Sequence, residues 1–163
     1  MTRVVMNHTG FVVKDLEVSR KFYIEGLGLE ELRKFDIQSE ELGQVVGYPN
    51  ARIYASMLAG ADGHMLEIIQ YVDPPTLDTG DPILYERRRV GGTHLAFFVE
   101  DSVAVWKRLV SMGGTALNDP VEVLPGMWEC YMQDPDGNWI EITSDEGHNK
   151  QQFVIRQIQA MPD

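Results

Sequence analysis

The segments His8–Thr9–Gly10–Phe11–Val12–Val13–Lys14–Asp15 and His94–Leu95–Ala96–Phe97–Phe98–Val99–Glu100–Asp101 decide the fold, because they are one pattern written twice. Each runs from a histidine through small and apolar residues to a charge and an aspartate, with the same spacing from His to Asp. A helical pattern follows each, over 16–27 and 102–113. The first stops at Gly26 and Gly28, the second at Gly113 and Gly114. The match continues downstream. Gly63–His64–Met65–Leu66–Glu67–Ile68–Ile69–Gln70 parallels Gly137–Asn138–Trp139–Ile140–Glu141–Ile142–Thr143–Ser144, with the glutamate at the same offset from the glycine. Asp134–Pro135–Asp136–Gly137 is a strong turn signal before the second of these runs, and Ala61–Asp62–Gly63 plays that part before the first.

A repeat of this length predicts two βαβββ modules, 4–73 and 91–145. A linker, 74–90, joins them. A tail, 146–163, has helical apolar spacing at Phe153, Ile155 and Ile158 and is expected to pack on the body or on a neighbouring subunit. The expected fold class is α+β: two tandem βαβββ modules with mixed, curled sheets forming a cup, and a C-terminal helix. Strands are expected at 5–13, 28–35, 51–59, 64–72, 92–99, 115–118, 127–134 and 138–144. Residues 36–50 form a long insertion in the first module and are a candidate lid or pocket wall.

Side chains alternate across a strand. His8, Gly10 and Val12 therefore share one face, and Thr9, Phe11 and Val13 the other. His94, Ala96 and Phe98 likewise oppose Leu95, Phe97 and Val99. Met65, Glu67 and Ile69 oppose Leu66 and Ile68, and Trp139, Glu141 and Thr143 oppose Ile140 and Ile142. The second face of each strand is almost wholly apolar and should carry the helices. The face with His and Glu is then left open, with one His and one Glu from each module.

An unpaired carboxylate on an inner sheet face is costly, and two close together repel unless a positive group stands between them. A divalent cation satisfies both. Imidazole and carboxylate donors suit Zn, Fe, Ni, Co or Mn without choosing among them. A lone strand histidine is ordinarily a structural residue, and a lone inward glutamate ordinarily pairs with Arg or Lys. Two His–Glu pairs at matching repeat positions resist that explanation. His8, Glu67, His94 and Glu141 are therefore the candidate metal ligands. Met65, Ile69, Phe98 and Trp139 share their face and are candidate pocket walls. Strand 127–134 is ambiguous: either Trp128, Cys130 and Met132 face inward, or Glu129 and Tyr131 do, which would make Glu129 another possible base. His64 faces away from Glu67, His148 lies outside the repeats, and Cys130 reads as a packed strand residue.

The chain has 163 residues, a formal net charge of -11 and one cysteine. The acidic balance argues against nucleic acid, which leaves a basic footprint. The one basic run, Arg87–Arg88–Arg89, reads as a solvated stretch. No apolar run approaches the roughly 20 residues that span a bilayer. A single cysteine excludes an intrachain disulfide. Together with an N-terminal stretch too polar for a targeting segment, it leads to an expectation of cytoplasmic residence.

The stretches HTGFVVKDLEVSRKFYIEGLGLE, GTHLAFFVED and DPDGNWIEI resemble the vicinal oxygen chelate superfamily, the glyoxalase / bleomycin-resistance / extradiol dioxygenase group, and among them glyoxalase I-like members. The resemblance implies paired modules around a divalent metal held by His, Glu, His and Glu, here His8, Glu67, His94 and Glu141. It implies a lyase or isomerase that moves a proton alpha to a metal-bound carbonyl through an enediolate, with Glu141 and Glu67 as candidate bases. It also implies a small-molecule substrate with vicinal oxygens and a homodimer. Three alternatives stand beside this. An epimerase of methylmalonyl-CoA or sugar-ketone type would typically carry Gln where this chain has Glu67. An Fe(II) extradiol-type dioxygenase would use His8, His94 and Glu141, with a further His and Tyr that the sequence alone does not place. A non-catalytic binding or resistance protein would lack the metal residues.

Overall fold

The structure is a computed structural model that describes residues 4–81 and 85–160. The chain divides into two compact units, 1–81 and 82–163. The first contains β1 (His8–Val12), α1 (Leu16–Lys21), β2 (Glu30–Gln38), α2 (Glu40–Val46), β3 (Arg52–Ala59) and β4 (Met65–Asp73). Its sheet order is β1-β4-β3-β2, with β1 parallel to β4 and the other pairs antiparallel. The second contains β5 (His94–Phe98), α3 (Ser102–Ser111), β6 (Thr115–Ala116), β7 (Val121–Leu124), β8 (Met127–Gln133), β9 (Trp139–Asp145) and α4 (Lys150–Ala160). Here β5 runs parallel to β9, β9 pairs with β8, and β8 pairs with both β6 and β7. This is the expected α+β architecture, two βαβββ modules in tandem with a C-terminal helix.

The aspartate closing each repeat is a helix N-cap. The Asp15 carboxylate accepts from the amides of Glu17 and Val18, and that of Asp101 accepts from the amide of Ala104. Each cap stops the strand and starts the helix that crosses to the apolar face. In the first unit that face buries Phe11, Val13, Leu66 and Ile68 with Leu16, Phe22 and Tyr23. In the second it buries Cys130, Met132, Ile140 and Ile142 with Val105 and Leu109. Each such side chain contributes about 1.5–3 kcal/mol relative to exposure.

Three local features differ from expectation. The helix expected at 16–27 is α-helical only to Lys21 and then forms a π-helical turn, Phe22–Gly26. The insertion 36–50 begins as a continuation of β2 to Gln38. It then forms α2, capped by the Ser39 hydroxyl on the Leu42 amide and ended by Gly47 at φ 77°. The short β7 lies outside the strands expected from the sequence.

Charge pairing clamps α1 to the first sheet. Arg20 donates through Nε and Nη2 to the two oxygens of Glu31 on β2, at 2.6 and 2.5 Å, and the buried Ser56 hydroxyl donates to Glu31 Oε1. The Arg20 guanidinium, followed by Ser56, holds the Glu31 carboxyl below its ordinary range against the opposing effect of burial. A depressed folded-state pKa adds stability above the unfolded carboxylate pKa, and that stability is lost as pH falls through the folded value. Glu31→Gln is expected to cost on the order of 1 kcal/mol at neutral pH and almost nothing in acid. Urea unfolding at pH 7 and at pH 3 checks this. An equal loss at both would show that the pair does not act through charge.

Candidate functional site

In the first unit, β1 and β4 pair in parallel with His8 opposite Met65 and Gly10 opposite Glu67. His8 Nε2 lies 3.2 Å from Glu67 Oε2, both side chains being partly exposed. In the second unit the register is the same: His94 is opposite Trp139, and Ala96 is opposite Glu141. His94 Nε2 lies 3.2 Å from Glu141 Oε2. The repeat thus yields two half-sites of one geometry, each a His and a Glu on adjacent parallel strands. Gly10, directly across from Glu67, has open space where a Cβ would project, and Ala96 takes the matching position across from Glu141.

The donor chemistry of each half-site fits a divalent cation. Nδ1 of His8 donates to Asn7 Oδ1 at 2.6 Å, which leaves the Nε2 lone pair facing Glu67. An imidazole lone pair beside a carboxylate oxygen is an N,O donor set for a borderline cation. Each unit brings its own pair together and supplies two donors. Among the described residues no group of three or more His, Cys, Asp or Glu side chains is gathered for a metal ion.

The ambiguity in the third strand of module two is resolved by its register. Glu129 pairs with Thr143 and Tyr131 with Glu141, so Glu129 and Tyr131 share the Glu141 face, whereas Cys130 and Met132 are buried on the other. Burial pushes the Cys130 thiol up to about 11, consistent with a packing role. The Tyr131 hydroxyl lies 3.3 Å from His94 Nε2, and its ring meets the imidazole edge-on. Burial, and then the Glu141 charge, raise the Tyr131 pKa. The same two causes raise that of Glu129, which also accepts a hydrogen bond from Gln157 on α4 at 3.3 Å. The sequence carried a signal for this register. The turn joins Asp134 to Asn138 through backbone hydrogen bonding and three contacts of the buried Asp134 carboxylate, and counting outward from it sets Tyr131 against Glu141.

The candidate walls sit as alternation requires. Met65 and Ile69 flank Glu67 on β4. Phe98 packs against Phe153 of α4 at 5.2 Å between ring centres, so the tail helix covers part of the His94–Glu141 face. Trp139 donates from Nε1 to the Tyr85 carbonyl at 2.7 Å. His64 lies 3.3 Å from the Thr9 hydroxyl, and His148 pairs with Asp145 at 3.2 Å, so neither joins a half-site. A cavity of about 480 Å³ in the first unit is lined by Leu16, Lys34, Asp36, Tyr54 and Gln70 among others, and by none of the candidate ligands.

The two βαβββ units each carry one His and one Glu on their first and last strands, the pattern of a fold built by duplication. The model of the Glyoxalase/Bleomycin resistance protein/Dioxygenase superfamily matches residues 5–142, and the chain belongs to that family. It is 28% identical over 137 residues to a probable lactoylglutathione lyase of Synechocystis sp., covering 83% of this chain and 91% of that protein. It is 26% identical over 140 residues to the uncharacterized protein YwbC of Bacillus subtilis, covering 84% and 94%. The crystal structure of a glyoxalase family protein from Bacillus cereus superposes with a TM-score of 0.81 at 24% identity, covering 90% of this chain and 97% of that one. That likeness establishes the fold. No helix among the described residues is long and apolar enough to cross a membrane.

Proposed function

We propose that the chain is a divalent-metal-dependent lyase or isomerase of glyoxalase I type, acting on a small carbonyl compound with vicinal oxygens. The observation that carries this reading is the equivalence of the two half-sites: the same His–Glu pair, in the same parallel register, at 3.2 Å in both. His8, Glu67, His94 and Glu141 are the ligands in this reading, one His and one Glu from each unit. Similarity to a probable lactoylglutathione lyase supports this choice of reaction within a versatile family. When bound, a divalent cation supplies Lewis acidity to the substrate oxygens.

The chain's own groups do the rest. Glu141 is only 9% exposed, so its carboxylate meets the substrate with little competing water. Its Oε2 accepts the α-proton and returns it to the same or the neighbouring carbon. Glu67 is the second candidate base. Met65 and Ile69 beside Glu67, and Phe98 and Trp139 on the strands of His94 and Glu141, are apolar neighbours that strengthen charge interactions within each half-site.

One observation favours a second reading, an Fe(II) extradiol-type dioxygenase on His8, His94 and Glu141. The Tyr131 hydroxyl beside His94 fills a role that such enzymes give to a tyrosine.

Elemental analysis after separate reloading with Zn, Ni, Co, Mn and Fe(II) tests the common part. About one bound metal per complete site is expected for at least one cation. A ratio near zero for all five overturns both readings. Solvent-deuterium exchange into hemithioacetal, α-hydroxy carbonyl and acyl-CoA substrates then separates proton transfer from oxygenation. Exchange without oxygen uptake supports the first reading. Oxygen uptake on catechols, restored by ferrous iron, supports the second.

A further inference from the structure

The three consecutive arginines of the linker differ sharply in what they touch. Arg88 reaches Glu86 at 3.5 Å, and Arg89 donates to the Val90 carbonyl at 3.4 Å. Arg87 instead lies over two aromatic rings beside the half-site. Its guanidinium carbon is 3.9 Å from the centre of the Tyr131 ring and 5.7 Å from the Trp139 ring. Among the described residues it has no carboxylate at ion-pair distance, in a chain whose acids outnumber its lysines and arginines 25 to 14.

This placement is built. Trp139 Nε1 holds the Tyr85 carbonyl at 2.7 Å. The Tyr85 ring lies over Gly137, where a Cβ would come within 2.5 Å of it and where φ is 92°. Two residues along, Arg87 reaches over β8 and β9. Tyr131 separates two groups: its hydroxyl touches His94, and its ring face carries the arginine. A cation therefore stands about one ring's width from the His94–Glu141 half-site.

The ring contact and the hydrogen bonding with Tyr131 engage only part of the guanidinium, and its remaining N–H donors can serve a further partner. An arginine held by aromatic rings is pre-organised for a flat, bidentate partner, and a carboxylate is that partner. We infer that Arg87 is the recognition residue for a carboxylate carried by the substrate next to the oxygens received at His94 and Glu141. The substrate class is then a small anionic carbonyl compound rather than a neutral one. This rests on the metal-site reading of the preceding subsection.

The test is calorimetric titration of zinc-loaded protein with two hydroxamates, which offer the same vicinal oxygens. Acetohydroxamate is neutral beyond them, and succinic monohydroxamate carries a carboxylate. In the unmodified protein the carboxylate compound should bind at least about tenfold more tightly, as one charge-assisted pair allows. In Arg87→Ala that advantage should fall to within about twofold while acetohydroxamate affinity stays unchanged. Arg87→Lys, which keeps the charge and loses the planar fork, should retain part of it. An advantage absent from the unmodified protein, or surviving intact in Arg87→Ala, overturns the inference and leaves the metal site standing. Failure of both compounds to bind zinc-loaded protein shows that the bound metal does not receive vicinal oxygens, which overturns this inference and the carbonyl-substrate reading it rests on.

Discussion

Glu141→Gln is expected to weaken metal binding at least about a hundredfold and to slow solvent-deuterium exchange at saturating metal by about 10²–10⁴. Glutamine keeps the shape of the side chain and removes the charge. Glu141 is the more buried carboxylate of the two half-sites, with 11% side-chain exposure against 22% for Glu67. It also sits in a denser polar setting, with His94 at 3.2 Å and Tyr131 directly across the strand pair. Glu67→Gln should lose less metal affinity, since Glu67 is the more exposed carboxylate and the glutamine amide oxygen could still serve as a donor. Competition with a chromogenic chelator measures the first effect, and mass spectrometry of recovered substrate the second. Normal exchange in metal-saturated Glu141→Gln would remove Glu141 as the base. It would move that role to Glu67 or Glu129.

The second large effect concerns the tail helix. The Asp145 side chain is fully buried, and its Oδ2 has no hydrogen-bond partner. Its charge is met by Arg156 of α4, which also donates to the Pro125 carbonyl at 2.9 Å, and His148 Nδ1 lies 3.2 Å from Asp145 Oδ1. Arg156→Met would leave a buried carboxylate without its main counter-charge, at a cost of about 3–5 kcal/mol. Much of that cost falls on the docking of α4. Few of its contacts replace the pair, because Phe153 is buried while Val154, Ile155 and Ile158 are exposed. Amide exchange across 150–160 should accelerate about a hundredfold or more, and substitution of Asp145 by Asn in the same chain should restore most of the protection. Unchanged exchange would mean that aromatic packing of Phe153 on Phe98 holds the helix by itself.

The position of α4 bears on the site as well as on stability. Gln157 reaches Glu129, and Phe153 covers Phe98, so the helix encloses one end of the face that carries His94 and Glu141. Burial and the Glu141 charge hold the Glu129 pKa above its ordinary range, a setting in which a carboxyl keeps its proton more readily.

Much of this was legible in the sequence because the protein repeats a unit whose parts are locally specified. His8 and His94, each seven residues before a capping aspartate, mark a strand that must end where the cap begins. Strand alternation then separates the ligand face from the helix face, and the buried Phe11, Ile68, Ile140 and Ile142 agree with it. Pairing within each half-site follows from the parallel register, which the repeat makes the same twice. The orientation of Glu129 and Tyr131 was not legible from alternation alone, since either the apolar face of Trp128, Cys130 and Met132 or the face of Glu129 and Tyr131 could line a pocket. Hairpin register settled it, through hydrogen bonds about the Asp134–Gly137 turn.

The sequence by itself determined the duplicated modules, the helix-bearing faces and the four candidate ligands, because periodicity and capping act between residues near in the chain. Only the tertiary structure decided that Arg87 leaves its basic run to lie on Tyr131, that Tyr131 touches His94, and that the tail helix folds onto Phe98 and Asp145. These contacts join residues far apart in sequence through ring stacking and a buried ion pair. Neither interaction leaves a periodic trace.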